Sequence, residues 1–130
     1  MTFMSRLINR KETVMENEKI SFDEYQKEAF DLISEDGRKD MVLNGVLGLA
    51  GESGECCDIV KKVRFQGHEM DRDHLIGELG DVLWYIAETA SGLNVSLEEV
   101  ARRNLDKLHK RYHGNHFNKE DSLHREKGDQ

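Results

Sequence analysis

Residues 71–91 read DRDHLIGELGDVLWYIAETAS, and this stretch decides the fold class. Its apolar side chains recur at helical spacing, at Leu75, Ile76, Leu79, Val82, Leu83 and Ile86. The pattern predicts a helix that begins near Asp71 or Asp73 and ends near Ser91. Trp84 and Tyr85 widen the apolar face, so the helix should be buried on more than one side.

The preceding stretch, residues 40–65, predicts a second long helix. Its apolar residues follow the same spacing: Met41, Val42, Val46, Leu49, Ile59, Val60 and Val63. Gly45, Gly48, Gly51 and Gly54 lie inside it, and each costs up to ~1 kcal/mol relative to alanine. Such glycines either break a helix or serve close packing and ligand access.

Two capping-box patterns predict further helices on either side of this pair. Ser21-Phe22-Asp23-Glu24 opens a first helix that should end near Asp36-Gly37, with Gly37 in the left-handed conformation. Ser96-Leu97-Glu98-Glu99 opens a last helix that should end near Tyr112. Four helices with short connections indicate an all-α fold that resembles a four-helix bundle.

The composition agrees with this fold and limits the function classes. The chain has 130 residues, enough for one domain, and its lack of proline favours helices over a β-sandwich. A formal net charge of −7 argues against a general nucleic-acid binder. No apolar run reaches 18 residues, so no membrane span is expected. We expect a helical domain over 21–113, between an N-terminal arm at 1–20 and a polar C-terminal tail at 114–130.

The cysteines and the N-terminus predict a cytoplasmic location. Cys56 and Cys57 are adjacent, which is a poor arrangement for a structural disulfide. The first 19 residues contain no apolar stretch that resembles a signal peptide. A chain with these features is typical of a reducing compartment.

One pattern occurs twice and carries the chemistry. Gly51-Glu52-Ser53-Gly54-Glu55 lies in one long helix, and Gly77-Glu78-Leu79-Gly80-Asp81 lies in the other. In each, two acidic residues at i and i+3 project from one face. Because a short link joins the helices, they should pack antiparallel and bring the four carboxylates together. The flanking glycines leave space for a bulky ligand.

Four carboxylates in one place repel one another. Two unit charges ~4 Å apart cost about 4 kcal/mol at an effective dielectric of 20. A divalent cation removes this cost, and an all-oxygen set suits Mg²⁺ or Mn²⁺ better than zinc. The sequence therefore predicts a metal site, although single acidic pairs of this kind are usually solvated helix faces.

The last helix supplies opposite charge. Asn104, Lys107 and Arg111 lie at i, i+3 and i+7, along one stripe of its surface. Such a stripe can bind phosphates while metal ions hold other oxygens of the same ligand. We call it the Asn104 stripe.

These motifs resemble the MazG-like nucleotide pyrophosphohydrolases of the all-alpha NTP pyrophosphatase superfamily. The resemblance covers about residues 21–111. It rests on Glu52-x-x-Glu55, on Glu78-x-x-Asp81 with its following Val82-Leu83-Trp84-Tyr85, on Asn104-Leu105-Asp106-Lys107-Leu108 with Arg111, and on Tyr25-Gln26.

The resemblance implies Mg²⁺-dependent hydrolysis of a nucleoside triphosphate to a nucleoside monophosphate and pyrophosphate, with a role in controlling the nucleotide pool. It implies that Glu52, Glu55, Glu78 and Asp81 bind the metal. Glu55 is then our candidate for activating water, with Glu52 beside it. It also implies phosphate contacts from Lys107 and Arg111, with Asn104 near the metal or sugar.

Other predictions concern the base, the assembly and the alternatives. Tyr25, Gln26 and Phe65 are candidates for contacting the base. The excess apolar surface of the 71–91 helix predicts a homodimer or homotetramer.

One alternative function is a non-catalytic module that binds metal and nucleotide and acts through a protein partner. Another is a redox di-metal bundle, which usually contains Glu-x-x-His motifs that both acidic pentapeptides lack.

Overall fold

The computed structural model describes residues 19–125 and is all-α over that range. The helices are, in chain order, α1 Phe22–Asp31, α2 Glu35–Lys39, α3 Met41–Phe65, α4 Arg72–Gly92, α5 Leu97–Arg111 and α6 Lys119–Leu123. The predicted long helices at 40–65 and 71–91 are confirmed as α3 and α4. None of the helices within 19–125 is long and apolar enough to cross a membrane.

The α3–α4 hairpin is the largest helix–helix interface among the described residues. Asp40 caps α3 by accepting from Leu43 N, and Asp71 caps α4 by accepting from His74 N, both at 3.0 Å. The connection turns at Gly67, whose φ is +72°. Asn44, near the start of α3, contacts Glu88, near the end of α4. Glu52, further along α3, converges with Glu78 and Asp81, which come earlier in α4, so the helices are antiparallel as predicted.

The first predicted helix is shorter than the sequence suggested, and this expectation was wrong. α1 ends at Asp31, and Ser34 then starts α2 by accepting from Gly37 N at 3.0 Å. Gly37 is therefore a buried residue inside α2 and not a left-handed cap. Arg38 stabilises the break, because its guanidinium donates to Phe30 O and lies over the Phe30 ring.

The predicted last helix is confirmed as α5, but only half of its capping box forms. Ser96 accepts from Glu99 N at 3.0 Å. The Glu99 carboxylate does not return to the Ser96 backbone, because it forms an ion pair with Arg103 one turn later. At Ser21 both halves of the box are present. Within the predicted tail, Asn118 caps the short helix α6.

The hydrophobic core of the described chain is small. Ala29, Ala87 and Leu97 form its centre, and Tyr25 and Trp84 pack against it. The Trp84 indole donates to Ala29 O at 3.2 Å, which ties α1 to α4. Large apolar side chains remain exposed on α3 and α4: Leu43, Val46, Leu47, Ile76 and Leu79.

The predicted N-terminal arm lies outside the described residues, apart from Lys19 and Ile20. Both of these residues are exposed. At the other end, the described part of the predicted polar tail runs from 114 to 125. It turns at Gly114 and Asn115, which both have positive φ, before α6 begins.

Candidate metal centre

Three of the four predicted carboxylates meet between α3 and α4. One oxygen from each of Glu52, Glu78 and Asp81 lies within 4.8 Å of the others. Glu52 projects from α3, whereas Glu78 and Asp81 lie one turn apart on α4. We call these residues the acidic trio. They are part of the set that the sequence pattern predicts.

The electrostatics of the trio are unfavourable in the absence of a cation. The pKa of Glu52 is raised above its ordinary value, chiefly by loss of solvation and then by the charges of Asp81 and Glu78. Glu52 and Glu78 are half-buried, and Asp81 is exposed. The trio therefore combines partial desolvation with mutual repulsion, and a bound divalent cation relieves both costs.

Glu55 lies beside the trio and is not one of its members. It is exposed on α3, one turn after Glu52. Its charge contributes to the raised pKa of Glu52 and to the raised pKa of Lys62, for which the Asp58 carboxylate is the larger cause. Glu55 thus lies within electrostatic range of both the acidic trio and a lysine.

His74 is a residue of this site that the sequence reasoning missed. Its Nε2 lies 3.0 Å from Oε1 of Glu78, one turn along α4. The Glu78 side chain is only 17% exposed, and His74 is a polar partner of its carboxylate. The i, i+4 spacing of His74 and Glu78 was the available signal, because such pairs face each other on a helix.

The glycines of the two acidic pentapeptides leave the site open. A Cβ added at Gly51, Gly54, Gly77 or Gly80 would meet nothing within 4 Å. The sequence interpretation allowed either close packing or ligand access for such glycines. At these four positions, the open surroundings agree with ligand access.

The predicted base contacts lie in three different surroundings. Tyr25 is near the trio, because its pKa is raised by burial and then by the Asp81 charge. Gln26 joins α1 to the start of α5: its amide donates to Val95 O at 3.0 Å and accepts from Leu97 N at 2.7 Å. Phe65 ends α3, 79% exposed, with the Arg64 guanidinium over its ring.

The Asn104 stripe lies on α5, which packs on α1 and α4. Asn104 is exposed, and Lys107 and Arg111 are half-buried. All three residues lie on α5, the helix on which the sequence analysis places them. The predicted contact between this stripe and substrate phosphates stays a prediction.

A cavity of about 220 Å³ opens beside the trio, at the end of the hairpin where α3 and α4 are joined. We call it the loop-end cavity. Its lining includes Glu55, Asp58, Ile59, Val63, Glu69 and His74. Glu55 and His74 also adjoin the acidic trio, so the cavity and the candidate metal centre are adjacent.

Comparison with known protein families agrees with this site. The model of the MazG nucleotide pyrophosphohydrolase domain matches residues 43–116. The chain belongs to this family. The MazG match includes α3 from Leu43 onward, all of α4 and α5, the acidic trio and Glu55. The all-α fold and the nucleotide pyrophosphohydrolase resemblance that the sequence predicted are therefore confirmed.

One curated relative is similar over part of the chain. The Gene 37 protein of Mycobacterium phage L5 is 45% identical over 69 residues, which cover 50% of this chain and 60% of that protein. Its name describes a gene and not an activity. No solved structure matches the chain.

Proposed function

We propose that this MazG-family protein is a Mg²⁺-dependent nucleoside triphosphate pyrophosphohydrolase. It converts a (d)NTP and water into a (d)NMP and pyrophosphate, and thereby removes particular nucleotides from the pool. The observation that carries the proposal is the acidic trio on the α3–α4 hairpin of a chain from this family.

The residues of the trio fit a hard divalent cation. All their donor atoms are carboxylate oxygens, and these oxygens converge without a histidine or cysteine in the group. Such a set suits Mg²⁺, with Mn²⁺ as a substitute, and does not suit zinc. When bound, the cation supplies charge neutralisation for the phosphates and polarises their oxygens.

Glu55 is the carboxylate best placed to activate water. Because it lies next to the trio but outside it, it is available to accept a proton while Glu52, Glu78 and Asp81 hold the metal. In the proposed step, water loses a proton to Glu55 and its oxygen bonds to the α- or the β-phosphorus. The bond from that phosphorus to the oxygen that bridges the α- and β-phosphoryl groups breaks, the bridging oxygen stays with the other product, and nucleoside monophosphate and pyrophosphate separate. Glu52 is the nearest neighbour of Glu55 among the metal ligands in sequence.

The Asn104 stripe supplies charge of the opposite sign for the substrate. Lys107 and Arg111 bind phosphate oxygens, and Asn104 contacts the metal or the sugar. This role answers a problem of charge, because a protein of net charge −7 repels a free polyphosphate. The substrate therefore binds as its metal complex, with cationic side chains around it.

His74 has a positioning role in the same proposal. Its contact with Oε1 of Glu78 holds that carboxylate in one orientation. Partners of this kind, which hold a metal ligand from behind, typically change metal affinity by 10–100-fold when they are mutated.

The active form is a homodimer or homotetramer. The buried core of the described chain is small, with Ala29, Ala87 and Leu97 at its centre, whereas Leu43, Leu47 and Leu79 are each more than half exposed. Burial of such side chains stabilises a protein by roughly 25 cal/mol per Å², and a second copy offers the matching surface. Sedimentation equilibrium at micromolar concentration tests this point, and a stable monomer of 15 kDa contradicts it.

The decisive experiment is an assay of pyrophosphate release across the canonical (d)NTPs and modified dNTPs. We expect release that requires added Mg²⁺ or Mn²⁺ and stops after exhaustive treatment with EDTA. Full activity after removal of divalent cations contradicts the metal site. Binding of nucleotide with no release of pyrophosphate from any substrate contradicts the enzymatic function and favours the non-catalytic module.

A further inference from the structure

The loop-end cavity has the size and position of a subsite for part of a nucleotide. Pockets that hold a whole small-molecule ligand typically have about 300–1,000 Å³, whereas this cavity has about 220 Å³. Its lining includes Glu55 and His74, which also adjoin the acidic trio. A ligand whose phosphates lie at the trio therefore has one ring system within reach of the cavity.

The lining of the cavity combines two apolar residues with four carboxylates, one lysine and two histidines, His68 and His74. Ile59 and Val63 lie at i and i+4 on α3, so they present one continuous apolar surface. Four carboxylates also line the cavity, against a single lysine, Lys62. That lysine is engaged already, because its Nζ lies 2.5 Å from the Asp58 carboxylate.

This charge distribution separates the two ends of a nucleotide. The excess of carboxylates repels a triphosphate, so the phosphates do not enter the cavity. A flat base can lie against Ile59 and Val63, and its N–H groups can donate to carboxylate oxygens. Carboxylates accept from the amino group of cytosine, whereas thymine and uracil present a carbonyl oxygen at the equivalent position.

We propose that the loop-end cavity binds the nucleobase and selects bases with an exocyclic amino group over their keto counterparts. This inference rests on the proposed function, because it assumes that the triphosphate lies at the acidic trio. It assigns the base to the α3–α4 connection and not to Tyr25, Gln26 or Phe65.

Glu69 is the carboxylate that reads the amino group. The other acidic residues of the cavity already have tasks. Asp58 forms ion pairs with Lys61 and Lys62, and Asp71 accepts from His74 N as the cap of α4. Glu55 lies at the catalytic end. Glu69 lies in the connection between α3 and α4, where its side chain is exposed.

The first test compares pairs of substrates that differ in one group. The rate of pyrophosphate release is measured for dCTP against dUTP, and for dATP against dITP, in which a keto group replaces the amino group. We expect kcat/KM to be about tenfold or more higher for the amino member of each pair. Equal values for both pairs overturn the inference while leaving the proposed function intact.

The second test reverses the charge at the proposed reading group. Glu69→Lys replaces an acceptor by a donor, so the ratio of kcat/KM for dCTP over dUTP should fall at least tenfold. Asp73→Lys is the matched control, since Asp73 is 94% exposed just outside the cavity lining and carries the same charge. If Asp73→Lys changes the ratio as much as Glu69→Lys does, Glu69 is not the reading group.

The third test fills the cavity. Val63→Phe should raise KM for dCTP at least tenfold and leave kcat within about threefold, because the phosphates and metal keep their places. Val60→Phe makes the same volume change one turn away, outside the cavity lining, and should leave KM unchanged. Circular dichroism and sedimentation of both variants establish that each is folded and assembled like the wild type.

Different results contradict the base subsite at the loop-end cavity and the proposed pyrophosphohydrolase activity. Pyrophosphate release from wild type, with unchanged KM in Val63→Phe, overturns the base subsite and leaves the hydrolase standing. An absence of release from every nucleotide overturns both. The inference is supported if Val63→Phe raises KM for dCTP and Glu69→Lys lowers the ratio of kcat/KM for dCTP over dUTP. The control variants Val60→Phe and Asp73→Lys should then leave these quantities unchanged.

Discussion

The two halves of the α3–α4 hairpin use the same residue type for opposite purposes. In the half near the start of α3, Gly45 and Gly48 lie against α4, and a Cβ at Gly48 would overlap the Tyr85 ring. In the half near the connection, a Cβ at Gly51 or Gly54 would meet open space. The first half is closed by packing, and the second is kept open beside its carboxylates.

The carboxylates of α4 differ in the same way. Glu88, in the closed half, is 3% exposed and accepts from Asn44 Nδ2 at 2.7 Å. Asp81 and Glu78, in the open half, converge with a third carboxylate. A buried carboxylate with a donor stabilises the packing, whereas converging carboxylates need a cation. The α3–α4 hairpin therefore has a structural half, held by packing, and a chemical half, which carries the acidic trio.

The largest expected effect comes from neutralising a carboxylate of the open half. Asp81→Asn nearly keeps the volume but removes a charged metal ligand, so turnover should fall at least ~1,000-fold, equivalent to about 4 kcal/mol in the barrier. Relief of repulsion should leave the metal-free fold as stable as wild type, or more stable. A pyrophosphate assay beside thermal melts measures both quantities.

Glu55→Gln should give the same combination, because it removes the proposed acceptor of the water proton. Asp73→Asn, on the same helix as Asp81 but away from the trio, is the control and should keep full turnover. Saturating Mg²⁺ should raise the melting temperature of the wild type more than that of Asp81→Asn, since a ligand stabilises the state that binds it. Wild-type turnover in Glu55→Gln would remove that residue from the mechanism.

The next effect contrasts one glycine from each half. Gly48→Ala forces a methyl group against Tyr85 and should destabilise the protein by about 1–3 kcal/mol, as overpacking typically does. Gly51→Ala has room for its methyl group and should raise the free energy of unfolding by up to ~1 kcal/mol, because alanine favours the helix. Urea unfolding compares them. A stable Gly48→Ala protein would show that the closed half is not tightly packed.

Gly51→Ala also tests the open half for ligand access. The added methyl group narrows the approach to Glu52, so a stabilised variant should show a raised KM for the metal–nucleotide complex. Unchanged KM in this variant would mean that the glycine serves no access to the site.

The long helices could be predicted because periodicity and caps agree there. The predicted bounds of α3 and α4 differ from the observed ones by at most one residue where a single limit was given. The break between α1 and α2 was missed because apolar spacing continues across it through Ile33. Ser34 overrides that spacing by capping a new helix, and Arg38 binds the carbonyls that the break exposes.

The candidate metal centre could be predicted only in part from the sequence. Repeated acidic pairs on two antiparallel helices indicate convergence, and the trio of Glu52, Glu78 and Asp81 follows that pattern. Whether a particular carboxylate points inward depends on side-chain torsion and helix rotation, which spacing does not determine. The cavity depends on the path of the connection at Gly67, so no periodic signal in the sequence indicates it.

Loss of the His74–Glu78 contact in the open half should have a smaller effect, and it should act on metal affinity. His74→Ala removes the contact with Glu78 and should weaken Mn²⁺ binding by about tenfold, the lower end for partners of metal ligands. His74→Gln keeps a donor near Glu78 and should restore most of the affinity. Calorimetric titration with Mn²⁺ measures both variants. Equal losses in the two variants would indicate that a donor at this position does not matter.

The smallest effect concerns pH, and it separates two carboxylates of α3. Interaction with Lys62 and Lys61 lowers the pKa of Asp58 to about 2, whereas desolvation and the neighbouring charges raise the pKa of Glu52. A lowered pKa means that the Asp58 ion pairs stabilise the fold fully above its ordinary pKa of 3.8, and that this contribution is lost as pH falls towards 2. A raised pKa has the opposite sign: the ionised Glu52 destabilises the metal-free fold at neutral pH, and this cost disappears below about pH 4.5.

Asp58→Asn should therefore be less stable than wild type at pH 7, with the difference shrinking only in strong acid. Glu52→Gln should be at least as stable as wild type at pH 7, with the difference vanishing near pH 4.5. Urea unfolding in EDTA at a series of pH values measures both differences. Effects of the same sign in the two variants would contradict the assignment of Asp58 as a stabilising ion pair and Glu52 as a repelled member of the trio.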